Sequence, residues 1–403
     1  MNNWKKVSMK DSLDILTGYA FSSKNFNEEE GIPLIRIRDL ETHNPKTLYK
    51  GDYDGRYIIN KLDVLVGMDG EFNITRWKGP KSLLNQRVAK ISSKKPDLLI
   101  KEFIYYRLES ELKKIEALTP ATTVKHLSKK DIEELELLIP PVQEQKKIIS
   151  ILSSVDEAIE KTEAIIKQTE EVKKGLMQQL LTKGIGHTRF KKTEIGKVPE
   201  IWDVKKVEEM GTVGTGGTPK RDEPKNYSGS IPWIKTTEIK YNLIMKSEEY
   251  ITEYALGNSS AKLYPVGTVL LAMYGQGVTR GRCAILGIDA ATNQACAAIV
   301  TNQEMINKFL YYVLELNYEN LRNLGHGSNQ SNLNTRFVKS FLVPVPPIHE
   351  QENIIKIISS VESKLMIEIR NLEELKKIKI GLMQSLLTGK VRVKVDENEV
   401  KQV

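Results

Sequence analysis

From Ile148 onward, apolar side chains return at alternating steps of four and three, the spacing that lines them along one seam of a long helix. The seam runs Ile148, Leu152, Val155, Ile159, Thr162, Ile166, Thr169, Lys173, Leu176 and Leu180. A second seam of the same spacing runs Ile354, Ile358, Val361, Leu365, Glu368, Leu372, Leu375, Lys379, Leu382 and Leu386. Each is apolar at its ends and polar in its middle. A proline pair precedes each stretch, where a missing N–H does no harm. Gly184 follows the first and Gly389 interrupts the end of the second, as helix stops do. The pattern predicts two helices of about 40 residues, each a rod of roughly 60 Å.

The two stretches are copies of one another. Pro140-Pro141-Val142-Gln143-Glu144-Gln145 leads to Gly175-Leu176-Met177-Gln178-Gln179-Leu180-Leu181-Thr182; Pro346-Pro347-Ile348-His349-Glu350-Gln351 leads to Gly381-Leu382-Met383-Gln384-Ser385-Leu386-Leu387-Thr388. The offset is the same at both ends, so the duplicate is gapless, a strong signal of repeated architecture. One rod cannot bury its own stripe. Packing the two copies on each other solves that, with the polar middle fixing register; a coiled coil between two chains is the alternative.

The residues before each rod form a globular block. In the first, 64–66 and 88–91 read as short strands, 69–71 and 78–80 as turns, and 101–117 as a charged helix. Residues 184–201 are basic and glycine-punctuated, a linker by composition. The second block echoes the first: Trp4-Lys5-Lys6-Val7 parallels Trp202 to Val207, Ile32-Pro33-Leu34-Ile35 parallels Ile231-Pro232-Trp233-Ile234, 64–70 parallels 269–275, and Asn85-Gln86 parallels Asn293-Gln294. The order is globe, rod, globe, rod. Related globes that diverge on rods that match closely suit two readers of different targets, with drift after duplication as the alternative. Residues 391–403 are a charged tail expected to fray.

Composition adds limits. With 403 residues, two to three domains are expected; 40% hydrophobic and 28% charged residues suit globular cores. There is no run of 18 apolar residues to span a membrane and no apolar leader after Met1. Cys283 and Cys296 lack metal-ligand spacing and suggest a reducing cytoplasm. A net charge of +8 fits a polyanion partner.

Catalytic motifs fail on inspection. The proline pairs resemble the core of amino-methyltransferases, but Ile139 and Val345 stand where an Asp, Asn or Ser must hold the amino group, and there is no convincing loop for S-adenosylmethionine. The run Gly211 to Lys220 lacks the Gly-Lys-Ser/Thr ending of a phosphate loop and reads as a flexible surface loop able to approach a DNA backbone. Asp97 with Glu111 and Lys113 has the loose spacing of a metal nuclease, yet 108–114 reads as a solvated helix face. His43, His126, His187, His326 and His349 have no ligand spacing.

Residues suited to nucleic acid are plentiful. Arg matches guanine edges, Asn and Gln match adenine edges, and Lys holds phosphates. The first globe offers Arg36, Arg38, Arg76, Lys78, Lys81, Asn85, Gln86 and Arg87. The second offers Lys220, Arg221, Lys235, Lys240, Gln276, Arg280, Arg282, Asn293 and Gln294, and the polar loop with Ser328, Asn329 and Gln330.

The doubled Pro-Pro-x-x-Glu-Gln helix ending in Gly-Leu-Met-Gln-x-Leu-Leu-Thr resembles the specificity subunit of type I restriction–modification enzymes, as do Gly196-Lys197-Val198-Pro199-Glu200-Ile201-Trp202 and Gly216-Gly217-Thr218-Pro219. The resemblance spans the whole chain and implies an α/β (α+β) fold: two target-recognition domains separated by two long helices packed as an intramolecular antiparallel coiled coil with pseudo-twofold symmetry. The implied segments are 1–141 and 184–347 for the recognition domains (the latter with its linker), 142–183 and 348–390 for the helices, and 391–403 for the tail. Each domain is expected to read one half of a split double-stranded DNA site. The helices are expected to set the spacing and to dock two methyltransferase subunits, with restriction subunits as further partners. S-adenosylmethionine, ATP and magnesium belong to those partners; this chain is expected to hold no cofactor or metal and to have no catalytic residue. The rival readings are a coiled-coil scaffold without DNA specificity and a solitary DNA methyltransferase. Two departures stand out: Trp4 lacks the Gly-Lys-Val-Pro lead-in, and 121–127 differs from the Gly-Ser-Asn-Gln form at 327–330.

Overall fold

The computed structural model describes residues 3–120, 125–275, 278–323 and 333–394. The chain divides into two units, Met1–Glu163 with Arg370–Val403, and Ala164–Ile369. Both boundaries fall inside the long helices, Val142–Lys183 and Ile348–Leu386. Each unit therefore owns one globe, the first half of the helix that follows it, and the second half of the other helix.

In the first unit Val64–Gly67 and Val88–Ser93 are strands, as the pattern predicts, and they pair antiparallel at the centre of a four-stranded sheet with Leu13–Thr17 and Ile74–Arg76. The buried side of this sheet meets the helix Lys101–Leu118, whose Phe103, Ile104, Tyr106, Leu108 and Leu112 point inward. A five-stranded sheet carries the rest of the globe, in the order Phe26–Asn27, Leu48–Tyr49, Ile32–Ile35, Ser82–Leu84, Ile58–Ile59, around a core containing Trp77.

The second unit repeats the plan. Val269–Ala272 lies between Cys296–Thr301 and Cys283–Leu286, packed on the helix Asn307–Leu316. Another sheet runs Tyr250–Ile251, Tyr227–Ile234, Ala290–Thr292, Leu263–Tyr264. Residues 184–201 are more than a linker: Phe190–Thr193 and Gly196–Pro199 form an antiparallel hairpin. Part of the expected surface loop is a strand, Gly211–Thr215, paired with Cys296–Thr301. Helical Glu111 is not solvated either; its side chain is 12% exposed and paired with Arg107 and Lys114.

The rod seams fill within the chain, antiparallel in each unit. In the first, Ile148, Leu152 and Leu386 are buried while Val155, Ile159, Leu372, Leu375 and Leu382 are half-buried. Asp156 meets Lys379 and Glu163 meets Lys376, both at 2.9 Å, so numbers rise on one helix as they fall on the other. In the second, Leu180, Ile354 and Ile358 are buried, and Ile166, Leu176, Val361 and Leu365 half-buried. The buried hydroxyls of Thr162 and Thr169 are satisfied by their own helix, on the carbonyls of Ala158 and Ile165. The polar middle is ionic: Lys173 lies 2.9 Å from Glu315 and 3.0 Å from Glu362. Burial alone would lower the Lys173 ammonium, but the two carboxylates outweigh it and hold its pKa above the ordinary value.

The Glu-Gln pair of the repeated motif mounts each globe on its rod. Buried Gln145 accepts the Ile100 N–H at 2.9 Å and donates to the carbonyls of Leu98 and Pro140. Gln351 does the same for Ile306, Glu304 and Pro346. Glu144 accepts the Trp4 indole at 3.1 Å and both Nε and Nη2 of Arg392 at 2.7 Å. The tail is thus anchored at Arg392; 395–403 lie outside the described residues. Gly389, φ +74°, follows the helix end at Leu386 instead of interrupting it.

Candidate nucleic-acid interface

Parallel strands end on the same side of a sheet, so the residues that follow them become neighbours. In the first unit Ile32–Ile35 runs parallel to Ser82–Leu84, with Ile35 opposite Leu84. Arg36 and Asn85-Gln86 are therefore adjacent at the strand ends. In the second, Tyr227–Ile234 runs parallel to Ala290–Thr292, with Ile234 opposite Thr292. Lys235 and Asn293-Gln294 take the matching places.

A third segment closes each site. The Tyr19 N–H donates to the Leu84 carbonyl at 3.0 Å, and the Gly217 N–H donates to the Thr292 carbonyl at 2.9 Å. The approach is so close that a Cβ on Gly18 would sit 2.0 Å from the Asn85 oxygen, and one on Gly216 1.7 Å from the Thr292 oxygen. Glycine is required there because backbone needs the space. Sequence reasoning missed this role. The signal was present: Gly18 precedes Gly216 by the interval that separates Trp4 from Trp202.

The surroundings of the two sites differ. In the first unit the Arg36 guanidinium lies 5.1 Å from the Phe26 ring centre and makes no ion pair among the described residues. Arg38 is exposed, with Asp39 at 4.0 Å. Tyr19 is 52% exposed and leans on Phe21 and Tyr57, while Arg56 lies 4.8 Å over Tyr57. The result is an open surface of cations and rings.

In the second unit a carboxylate organises the cations. Glu249 receives Arg221 Nη1 at 2.6 Å and Lys235 Nζ at 2.8 Å. Arg221 also stacks over Tyr227 at 4.7 Å and over Trp233 at 4.9 Å. Trp233 is in turn fixed by its indole N–H on the Gly217 carbonyl at 3.0 Å. The hydrogen bonds from Arg221 and Lys235 hold the Glu249 carboxyl below its ordinary pKa and raise both cations, so the trio stays ionised at neutral pH. Thr218 bonds Gln294, which ties the glycine segment to the amide pair.

Other candidates from the sequence sit elsewhere. Arg76 is turned to the rod, 3.3 Å from Asp156 and stacked on Tyr105, and Lys78 pairs with Glu160 of the same helix. Lys81 is exposed at the opposite end of the strand that leads to Asn85. Arg87 pairs with Asp69 at 3.2 Å. Lys220 is exposed beside Glu223, and Lys240 is exposed at a turn closed by Asn242. Arg280 and Arg282 are half-buried near the start of the strand Cys283–Leu286, the latter against Tyr241. Gln276, Ser328, Asn329 and Gln330 lie outside the described residues.

Chemically, these sites offer donors, acceptors and stacking faces. Among the described residues no group of three or more His, Cys, Asp or Glu side chains is placed to hold a metal. Both thiols are buried, which pushes their pKa values up and away from nucleophilic thiolate.

Residues 1–171 and 199–379 each match the family model described as the type I restriction modification DNA specificity domain. The chain belongs to this family. Similar proteins include the MjaVIII specificity subunit of Methanocaldococcus jannaschii, 28% identical over 346 residues that cover 84% of this chain and 81% of that one. The EcoBI specificity subunit of Escherichia coli is 38% identical over 185 residues, 46% of this chain and 39% of that protein. The fold is also that of the type I S subunit from M. genitalium, with a TM-score of 0.61 at 17% identity, covering 96% of both chains. A second solved structure, from work on assembly and conformational transition of the type I system, gives 0.60 at 15% identity, covering 96% of this chain and 98% of that one. With two copies of the family's domain, the chain is a type I DNA specificity subunit. No helix among the described residues is long and apolar enough to cross a membrane.

Proposed function

We propose that each unit reads one half of a split double-stranded DNA site, that the long helices set the unread interval, and that they dock two methyltransferase subunits. S-adenosylmethionine, ATP and magnesium would then serve the methyltransferase and restriction subunits and not this chain. The observation that carries the reading is the unlike equipment of equivalent strand ends. Both units keep an Asn-Gln pair, but Arg36 and Tyr19 in one stand where Lys235 and Gly217 stand in the other. Two readers with one scaffold and different targets need that contrast.

Exchanging residues 1–139 for those of another family member tests it, with sites mapped by methylation in the assembled complex. One half of the recognised site should change and the other should not; change in both halves, or in neither, defeats the two-reader arrangement. Binding should also weaken steeply with salt, because phosphate contacts release counterions. A coiled-coil scaffold would show no such dependence.

A further inference from the structure

We propose that Arg221 is a guanine-reading residue of the second unit and that Glu249 is the residue that positions it. The assignment rests on the DNA-reading function argued above and makes it specific to one side chain and one base.

A base-reading arginine must present two adjacent N–H donors to guanine O6 and N7, and must be held still to do so. Arg221 meets both needs. Its side chain is 54% exposed, yet it is fixed on three sides: by Glu249 at 2.6 Å and by the faces of Tyr227 and Trp233. Trp233, 1% exposed, is a rigid floor. Only Nη1 is engaged among the described residues, which leaves Nε and Nη2, the side-on fork, for a ligand.

Charge decides between base and phosphate. Glu249 already serves Arg221 and Lys235, with Glu248 3.4 Å from the same lysine. The two carboxylates balance the two cations, so a phosphate brought to Arg221 would gain little net attraction from the cluster. The guanine edge is neutral and tolerates the carboxylates. In the first unit Arg36 has no ion pair among the described residues, which is the condition for a phosphate contact. Glu249 thus offsets the charge of Arg221 while preserving its donor geometry.

The test uses the full chain assembled with its methyltransferase subunits and a library of double-stranded DNA with randomised positions, from which bound molecules are sequenced. For Arg221→Lys, which keeps the charge but not the fork, preference for guanine at one position of one half-site should fall roughly ten-fold or more, with every other position unchanged. Glu249→Gln should weaken the same preference, and Glu249→Asp should restore it in part; an ion pair with a purely structural role would not move a single base position. Selection of the other half-site in the same sample reports that the variants are folded. The assignment is overturned if Arg221→Lys keeps all preferences, or if Arg221→Ala weakens every sequence alike and lowers the salt slope by about one, the mark of a phosphate contact. If the unmodified complex selects no split site at all, the two-reader function itself fails and the assignment with it.

Discussion

Trp202 donates its indole N–H to Glu350 at 2.9 Å, although 148 residues separate them in the chain. Trp4 makes the same bond to Glu144 across 140 residues. Each tryptophan opens a globe, and each glutamate opens the rod that follows it. The neighbouring glutamine ties the rod to the start of a helix within the globe. The Pro-Pro-x-x-Glu-Gln motif is therefore a mount, and a mount must keep its chemistry while the surface it carries changes. This accounts for rods that match closely beneath globes that do not.

Removing the mount in the first unit should be costly. Glu144→Ala removes the acceptor of the Trp4 indole and the carboxylate partner of the Arg392 guanidinium, which also donates to Asn3, and hydrogen bonds to a charged group are worth about 1.5–3 kcal/mol. Urea unfolding should show a loss of that size, whereas Glu136→Ala, which removes an exposed pair with Lys6, should stay within about 1 kcal/mol.

The same carboxyl sets a pH dependence. Burial pushes the Glu144 pKa up, but the hydrogen bonds from Arg392 and Trp4 outweigh burial and leave it below 4.5. A depressed folded value means the stabilisation is complete above the unfolded value and is lost as pH falls through the folded one. Stability measured from neutral pH down through 4.5 and below should decline less steeply in Glu144→Gln than in the parent. Parallel curves would rule out this carboxyl as a source of the decline.

Gln351→Leu should destabilise the second unit by roughly 1–3 kcal/mol. The substitution leaves the Ile306 N–H and the carbonyls of Glu304 and Pro346 without their buried partner. Hydrogen exchange at the start of the helix Asn307–Leu316 should accelerate first; unchanged protection there would contradict the mounting role.

The rod's ionic middle is open to a double-mutant cycle. Lys379 lies 2.9 Å from Asp156, which also accepts the Tyr106 hydroxyl at 2.7 Å. Lys379→Met and Asp156→Asn should each destabilise, with a coupling of about 0.5–3 kcal/mol. A coupling of zero would mean that this pair does not help to hold the register.

Gly216→Ala should damage the second site without touching an exposed side chain. Its Cβ would meet the Thr292 carbonyl oxygen at 1.7 Å, so the backbone must move, at about 1–3 kcal/mol. Loss of sequence selection confined to one half-site is expected; Gly186→Ala tests φ strain alone, since its Cβ meets nothing within 4 Å.

The four-three spacing, the proline starts and the glycine stops specified both helices because helical periodicity is local: a residue's face follows from its distance to its neighbours along the chain. Strand pairs such as 64–66 with 88–91, and the Asn-Gln echoes, were legible for a similar reason, each being a short run of recognisable type. The division of each helix between two units was not legible, nor the docking of Arg392, the diversion of Arg76 and Lys78 to the rod, or the place of Glu249 beside Arg221. Those depend on partners brought together from distant positions, and side-chain type alone does not say whether an arginine will meet a carboxylate or stay open to a ligand. The sequence by itself determined the elements and their duplication; only the tertiary structure decided which charges remain available, because charge is cancelled by neighbours in space.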